Sequence, residues 1–193
     1  MKKQLMTFLL CGSLFATAQQ PVDYVNPFIG TSNYGTTNPG AVCPQGMMSV
    51  VPFNVMGSEK NRFDKDSQWW STPYSADNKF FTGFAHGSLS GVGCPELGGL
   101  LLMPTTGELN VDYKAYGSEY KDEVAHPGYY SNTLTKYNIK AEATASMRTG
   151  LSRFTFPKGE SLSLRNKGCK SSICEIYTLF YTQECKIGCF CIF

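Results

Sequence analysis

The sequence has little charge and few histidines and tryptophans. Only 17% of its 193 residues are Asp, Glu, Lys or Arg, and it contains two histidines and two tryptophans. The 17 basic and 15 acidic residues are scattered along the chain and leave a net charge of +2. Nucleic-acid binding needs a concentrated basic surface, so we expect no nucleic-acid partner.

Long apolar runs are also scarce, and no segment approaches the ~20 residues of a transmembrane helix. Near the start, two lysines precede the apolar run Leu5–Phe15, which ends at the small-residue site Ala16–Ala18. This is the pattern of a secretory signal peptide. We predict that residues 1–18 are cleaved off after Ala18 and that the chain is periplasmic or secreted, with no membrane span. A lipid-anchored alternative rests on Cys11, but the leucine before it is larger than such a site prefers.

Short β-prone segments separated by glycine and proline make up most of the remaining chain. Ile139–Ala145 alternates apolar and polar residues, the period of a strand with one buried face. We predict an all-β fold, an incomplete antiparallel β-sandwich, with a turn at Arg148 and Gly150. Further strand signals lie at Met47–Phe53, Phe80–Phe84, Leu100–Met103 (closed by Pro104), Leu151–Phe156 and, more loosely, Tyr129–Tyr137.

The last part of the chain differs from the rest in its cysteine content. Five of the eight cysteines follow Arg165 and fit neither a C-x-x-C pair nor a cysteine–histidine metal site. Disulfides are an alternative in an exported chain. We predict that residues 19–164 form the partial sandwich domain. We predict that residues 165–193 are an irregular, non-native tail produced by a frameshift or a premature stop.

Several motifs occur in a specific order and spacing. They are Val25–Thr31, Asn38–Ala41 with Pro44–Met47, Gly83–Glu96 with Leu102–Pro104, and Ala125–Tyr130 with Arg153–Pro157. Together, over residues 22–162, they resemble the N-terminal domain of glycoside hydrolase family 92. The resemblance implies a β-sandwich packed on a larger α-helical domain, with the active site at their junction. Such enzymes are similar to calcium-dependent, inverting exo-α-mannosidases that act on N-glycans or mannans.

The resemblance also implies how the chemistry is divided between the two domains. The general acid, the general base and the calcium ligands come chiefly from the helical domain. The chain would therefore be an N-terminal fragment without catalytic residues, and we expect it to hold no calcium itself. Its implied partners are a mannose-containing glycan and the helical catalytic domain. Glu96 and Glu108 could be imagined as an acid–base pair, but we favour turn or surface carboxylates.

The candidate sugar contacts fall in two stretches. Trp69 and Trp70 lie in a polar segment, Gly57–Asn78, and aromatic faces stack on the C–H surface of a pyranose. The alternative is that one tryptophan is core and the other covers it. The second stretch resembles the family's Gly-Phe-Ser-His-x-His-Leu-Ser-Gly pattern, with His86 at the first histidine and Ser88 at the second. The full set of predicted substrate contacts is Trp69, Trp70, His86, Ser88, Gly93, Cys94 and Glu96.

Each of these residues has a plainer interpretation. A lone histidine is more often a structural residue, and Cys94 fits a small buried side chain better than a nucleophile. Two other functions also stay open. One is a stand-alone carbohydrate-binding sandwich, which the aromatic segment favours. The other is a small secreted protein stabilised by disulfides, in which the tail is native.

Overall fold

The computed structural model describes residues 20–32, 35–55, 73–88, 100–108, 110 and 112–158, and the backbone alone of strands at 162–167, 174–181 and 184–191. Nearly all of its regular structure is β, apart from a 3₁₀ turn at Pro21–Tyr24 and a one-turn helix α1 at Tyr113–Tyr116. The strands are β1 (Ala41–Val42), β2 (Ser49–Phe53), β3 (Phe80–Phe81), β4 (Gly83–His86), β5 (Leu100–Thr106), β6 (Ser118–His126), β7 (Tyr129–Leu134), β8 (Ile139–Ala145), β9 (Thr149–Thr155), β10 (Leu162–Lys167), β11 (Cys174–Tyr181) and β12 (Glu184–Cys191).

The strands form two antiparallel sheets. One has the order β1-β2-β4-β5-β10, and the other has the order β11-β12-β9-β8-β7-β6-β3. Strands β6 to β9 follow one another as a meander, each paired with the next. The predicted all-β antiparallel fold is confirmed. None of the helices that the structure describes is long and apolar enough to cross a membrane.

The core lies between the two sheets and is centred on Phe84. Its ring lies 5.8 Å from that of Tyr130 and 6.0 Å from that of Phe154, which both belong to the opposite sheet. All three side chains are 0% exposed. Burying an aromatic side chain of this size contributes about 1.5–3 kcal/mol. These contacts therefore join the sheets as one sandwich.

The predicted strand Phe80–Phe84 is divided between the two sheets. Phe80 and Phe81 pair with β6, whereas Gly83 begins the pairing of β4 with β2. Gly83 has a φ of 145°, and a Cβ atom there would lie 2.8 Å from the backbone oxygen of Leu102. Only glycine fits this corner without strain. Sequence periodicity does not register a change of sheet within five residues.

Pro104 and Gly150 were predicted to lie at a strand end and in a turn, but both lie inside strands. Strand β5 continues through Pro104 to Thr106. Its pairing with β4 ends at Leu102, so Pro104 has a neighbouring strand only on the side of β10. A missing N–H is tolerated where one side of a strand has no partner. Gly150 lies in β9 rather than in the turn, and a Cβ atom there would lie 2.6 Å from Val50 Cγ2. The glycine allows the two sheets to approach.

The tail also contains regular backbone. Strands β11 and β12 form a hairpin, and β12 continues the larger sheet by pairing with β9. The run Ile176–Tyr181 in β11 is rich in β-branched and aromatic residues, which favour strands. The non-native origin of the tail stays a prediction.

Candidate functional site

Two of the predicted sugar contacts, His86 and Ser88, lie in the part of the chain that the structure describes. His86 is the last residue of β4, and Ser88 follows two positions later. Here the chain enters the glycine-rich stretch, residues 87–99. The other five lie outside the described residues: Trp69, Trp70, Gly93, Cys94 and Glu96.

The imidazole of His86 lies between the two sheets. The residue is 3% exposed, and its Nε2 lies 3.4 Å from the hydroxyl oxygen of Ser152. Burial lowers the pKa of His86 to about 4, while the carbonyl groups of Phe84 and Leu100 partly offset that effect. The ring is therefore neutral at pH 7. It packs across from Gly150, where a Cβ atom would lie 3.1 Å from the ring carbon Cδ2.

Ser88 is tied to the neighbouring strand through its backbone. The hydroxyl of Ser49 donates to the carbonyl oxygen of Ser88 at 2.7 Å, and the Gly87 N–H donates to the Ser49 carbonyl at 2.9 Å. Gly87 has a φ of 76°, which favours glycine. These bonds fix the place where the glycine-rich stretch leaves β4.

A buried asparagine joins the residues on either side of positions 56–72, the tryptophan segment, which contains Trp69 and Trp70. The chain leaves β2 at Asn54, whose N–H donates to the Pro73 carbonyl at 3.0 Å. The Asn54 side chain accepts from the Ser75 N–H at 2.8 Å and donates to the Ser75 carbonyl at 2.8 Å. The residue is 0% exposed. A buried amide is stable when its donors and acceptor are all engaged, so these bonds hold residues 54 and 73–75 together.

A β-bulge turns a carboxylate inward close to this connection. The register of β6 against β7 shifts between Lys121 and Val124, and Asp122 has a left-handed φ of 53°. The extra residue changes the phase of the alternation, so that Glu123 faces inward like Ala125. From the sequence, the run Lys121–Glu123 looks like an exposed charged face of a strand. No signal in the sequence marks the bulge.

The Glu123 carboxylate is contacted by three donors, two from the stretch before β3 and one from β7. Its Oε1 accepts from the hydroxyl of Tyr74 at 2.9 Å and from that of Tyr130 at 2.7 Å, and its Oε2 lies 3.1 Å from the Lys79 ammonium. Burial raises the pKa of both tyrosines, and the nearby carboxylate adds to the effect. The phenols therefore stay protonated and act as donors.

The anchors of the two candidate stretches lie at opposite ends of the β2–β4 pair. His86 pairs with Val50, and Gly83 pairs with Phe53 just before Asn54. At about 3.4 Å per residue, these ends are about 10 Å apart. The glycine-rich stretch returns to Leu100, which pairs with His86, so both of its ends lie away from Asn54. The described residues do not bring the two stretches together.

The outer face of the larger sheet carries a groove of about 290 Å³, with walls formed by Tyr129, Glu142, Ala143, Thr144, Leu151 and Arg153. Arg153 donates to both carboxylate oxygens of Glu142, at 2.7 and 2.9 Å. The Tyr129 hydroxyl also donates to the Glu142 carboxylate, at 2.8 Å. The hydrogen bonds from Arg153, above all, lower the pKa of Glu142 to about 2. Its carboxylate is ionised and engaged by neighbours, as in a structural ion pair.

The described residues do not fit a calcium site. Within this part of the chain, no group of three or more His, Cys, Asp or Glu side chains converges. Calcium takes six to eight oxygen ligands. Glu123 and Glu142 are instead held by lysine, arginine and tyrosine donors.

Comparison with known proteins identifies the family. The model of the glycosyl hydrolase family 92 N-terminal domain matches residues 24–170. The chain belongs to glycosyl hydrolase family 92. The resemblance predicted over residues 22–162 is confirmed, and the match to family 92 runs past the predicted domain end at residue 164. A curated relative is an uncharacterized secreted glycosidase of Arthroderma benhamiae, 30% identical over 150 residues, which are 72% of this chain and 18% of that protein.

Solved members of family 92 share the fold. The α-mannosidase BT3965 of Bacteroides thetaiotaomicron has a TM-score of 0.64 and 23% identity over 92% of this chain and 32% of its own. The glycosyl hydrolase ccman5 has a TM-score of 0.60 and 21% identity over 89% of this chain and 30% of its own. This family 92 chain therefore spans about a third of these solved relatives and a smaller share of the curated one.

Proposed function

We propose that this family 92 chain is the N-terminal part of a secreted α-mannosidase acting on the α-mannosides of N-glycans or mannans. It contributes part of the sugar subsite and does not supply the residues that cleave the bond. The observation that carries the proposal is the match of residues 24–170 to the family 92 N-terminal domain. The fold shared with a solved α-mannosidase and the relationship to a secreted glycosidase support it.

The carboxylates of the described residues support a binding role over a catalytic one. Inverting hydrolysis needs an acid and a base about 6.5–9.5 Å apart, with a water molecule between them. Glu123 and Glu142 are both engaged by positively charged and phenolic donors. Glu108 is exposed, and Glu96 lies outside the described residues. We therefore assign the acid, the base and the calcium site to a helical catalytic domain that packs on this sandwich.

We propose that Trp69 and Trp70 form an aromatic surface on which a sugar ring stacks, here called the sugar wall. The chain enters and leaves their segment at the fixed connection between Asn54 and Ser75, and an indole face matches the apolar face of a pyranose. We do not propose His86 as a sugar contact, because its ring lies between the sheets. Ser88, Gly93, Cys94 and Glu96 stay predicted contacts at the other end of β4. A cleavable signal peptide at residues 1–18 would deliver the chain to the periplasm or the medium.

A fluorescence titration tests the sugar wall. The two tryptophans are the only ones in the chain, so its tryptophan emission comes from this segment alone. Adding an α-mannotriose should quench or shift the emission with saturation, because stacking changes the surroundings of the indole. Trp69→Ala or Trp70→Ala should weaken binding about tenfold, as expected for the loss of about 1.4 kcal/mol.

Two controls distinguish mannoside stacking on the tryptophans from other causes of a change in emission. A galactotriose should leave the emission unchanged, and Leu151→Ala in the outer groove should bind like the wild type. No saturable response to the mannoside in a folded chain would overturn the sugar wall. Full binding by both tryptophan variants would move the site elsewhere.

A further inference from the structure

Three sulfur-containing residues meet where the loop after β1 packs on the turn between β8 and β9. Cys43 and Met47 belong to the loop, and Met147 belongs to the turn. We propose that Cys43 and Met147, with Met47 as a third ligand, form a binding site for a soft monovalent metal ion, Cu(I). This proposal does not depend on the sugar role of the chain.

The thiol and one thioether are already in contact. The Cys43 thiol donates to the Met147 sulfur at 3.7 Å, although the two residues are 104 positions apart in sequence. Two sulfurs bound to one metal at about 2.3 Å each lie about 3.8–4.0 Å apart in tetrahedral or trigonal geometry. The two sulfurs therefore need to separate very little to share an ion.

Backbone hydrogen bonds hold the loop and the turn against each other. The Met47 N–H donates to the Met147 carbonyl at 2.8 Å. The Gly46 N–H donates to the Cys43 carbonyl at 2.7 Å, which closes the loop as a tight turn. Met47 is thereby kept beside Met147, and its unbranched side chain is flexible enough to bring a second thioether to the ion.

All three side chains are reachable from solvent. Met47 is 44% exposed, Met147 is 51% exposed and Cys43 is partly buried. By contrast, Met48 and Met103 are buried in the core between the sheets. The core methionines fill space, whereas the sulfurs at the rim are open to an ion that arrives from solution.

The chemistry of the ligands decides which ion fits. Thiolate and thioether sulfurs are soft ligands that select Cu(I), whereas calcium and magnesium prefer oxygen. Binding replaces the S–H bond of Cys43 by a metal–sulfur bond, and the proton passes to the buffer. The ion keeps its oxidation state, so the step needs no oxidant or reductant.

Methyl NMR of the full chain, labelled with ¹³C at the methionine methyl groups, tests the site. The probe is Ag(I) in chloride-free buffer under argon, because it shares the charge and ligand preference of Cu(I) and does not change oxidation state. The chain has eight cysteines, so a signal specific to each methionine is needed. Saturating Ag(I) should shift the signals of Met147 and Met47, whose sulfurs bind the ion. The signals of Met48 and Met103 should not move.

Three variants separate metal binding from a simple contact between sulfurs. Cys43→Ser should abolish the shift of Met147, because the anionic ligand is lost. Met147→Leu keeps the size of the side chain and should weaken Ag(I) binding at Met47 about tenfold. Met48→Leu, in the core, is the matched control and should bind Ag(I) like the wild type.

The outcomes that overturn the site are equally specific. Unchanged signals of Met147 and Met47 at saturating Ag(I) overturn it, and so does a Met147 shift that persists in full in Cys43→Ser. If Cys43→Ser does not fold, an unweakened response of Met47 in Met147→Leu overturns it instead. Cu(I) added under argon should shift the same two signals, and no shift with Cu(I) would overturn the assignment of the ion.

Discussion

At the scale of single residues, two buried titratable side chains set the response to acid. Burial lowers the pKa of His86 from 6.5 to about 4. The hydrogen bonds from Arg153 lower the pKa of Glu142 from 4.5 to about 2. Both values lie below those of the unfolded chain, so the unfolded state takes up protons first as the pH falls. The stabilisation is complete above the unfolded value and is lost as the pH falls towards the folded one.

We expect the free energy of unfolding to fall in two steps, between pH 6.5 and 4 for His86 and between pH 4.5 and 2 for Glu142. Each step is on the order of 1–3 kcal/mol. Urea unfolding across this pH range measures both. His86→Gln should remove the upper step and Glu142→Gln the lower one. An upper step that persists in His86→Gln would show that the ring is not buried in its neutral form.

At the scale of elements, the approach of β9 to β2 depends on Gly150. A Cβ atom there would lie 2.6 Å from Val50 Cγ2 and 3.2 Å from Met48 Cγ, both in the core. We predict that Gly150→Ala costs about 1–3 kcal/mol of stability through overpacking. Thermal and urea unfolding measure the loss. Leu151→Ala, at an outward position of the same strand that is 41% exposed, is the matched control and should change little. Equal stabilities for the two variants would contradict this packing.

The bounds of a strand could be predicted from the sequence where apolar and polar residues alternate regularly along it. Strand β8 shows the period of two, and its predicted bounds, Ile139–Ala145, are those observed. The corner at Gly83 could not be predicted, because a strand that changes sheets keeps its apolar residues buried on both sides of the change. The bulge at Glu123 was missed for a related reason. One inserted residue reverses inside and outside, and charged residues give no apolar period to reveal it.

At the scale of the whole molecule, the motif order predicted the family and the sandwich, but not how the candidate site is arranged. The described anchors of the two stretches of predicted sugar contacts lie at opposite ends of the β2–β4 pair. That separation follows from strand pairing, which motif spacing along the chain does not encode. The tryptophan segment was predicted from its composition, whereas its buried base at Asn54 depends on contacts between distant residues.

The central proposal is that this family 92 chain contributes to sugar binding without cleaving the glycosidic bond. The most direct measurement is the release of 4-nitrophenol from 4-nitrophenyl α-mannoside by the pure chain, with and without calcium, compared with buffer. We predict no release above buffer in either condition, because Glu123 and Glu142 are engaged by structural partners and we assign the acid and the base of inverting hydrolysis to the helical catalytic domain. Hydrolysis that co-purifies with the chain and is abolished by Glu96→Gln or Glu108→Gln would contradict the account.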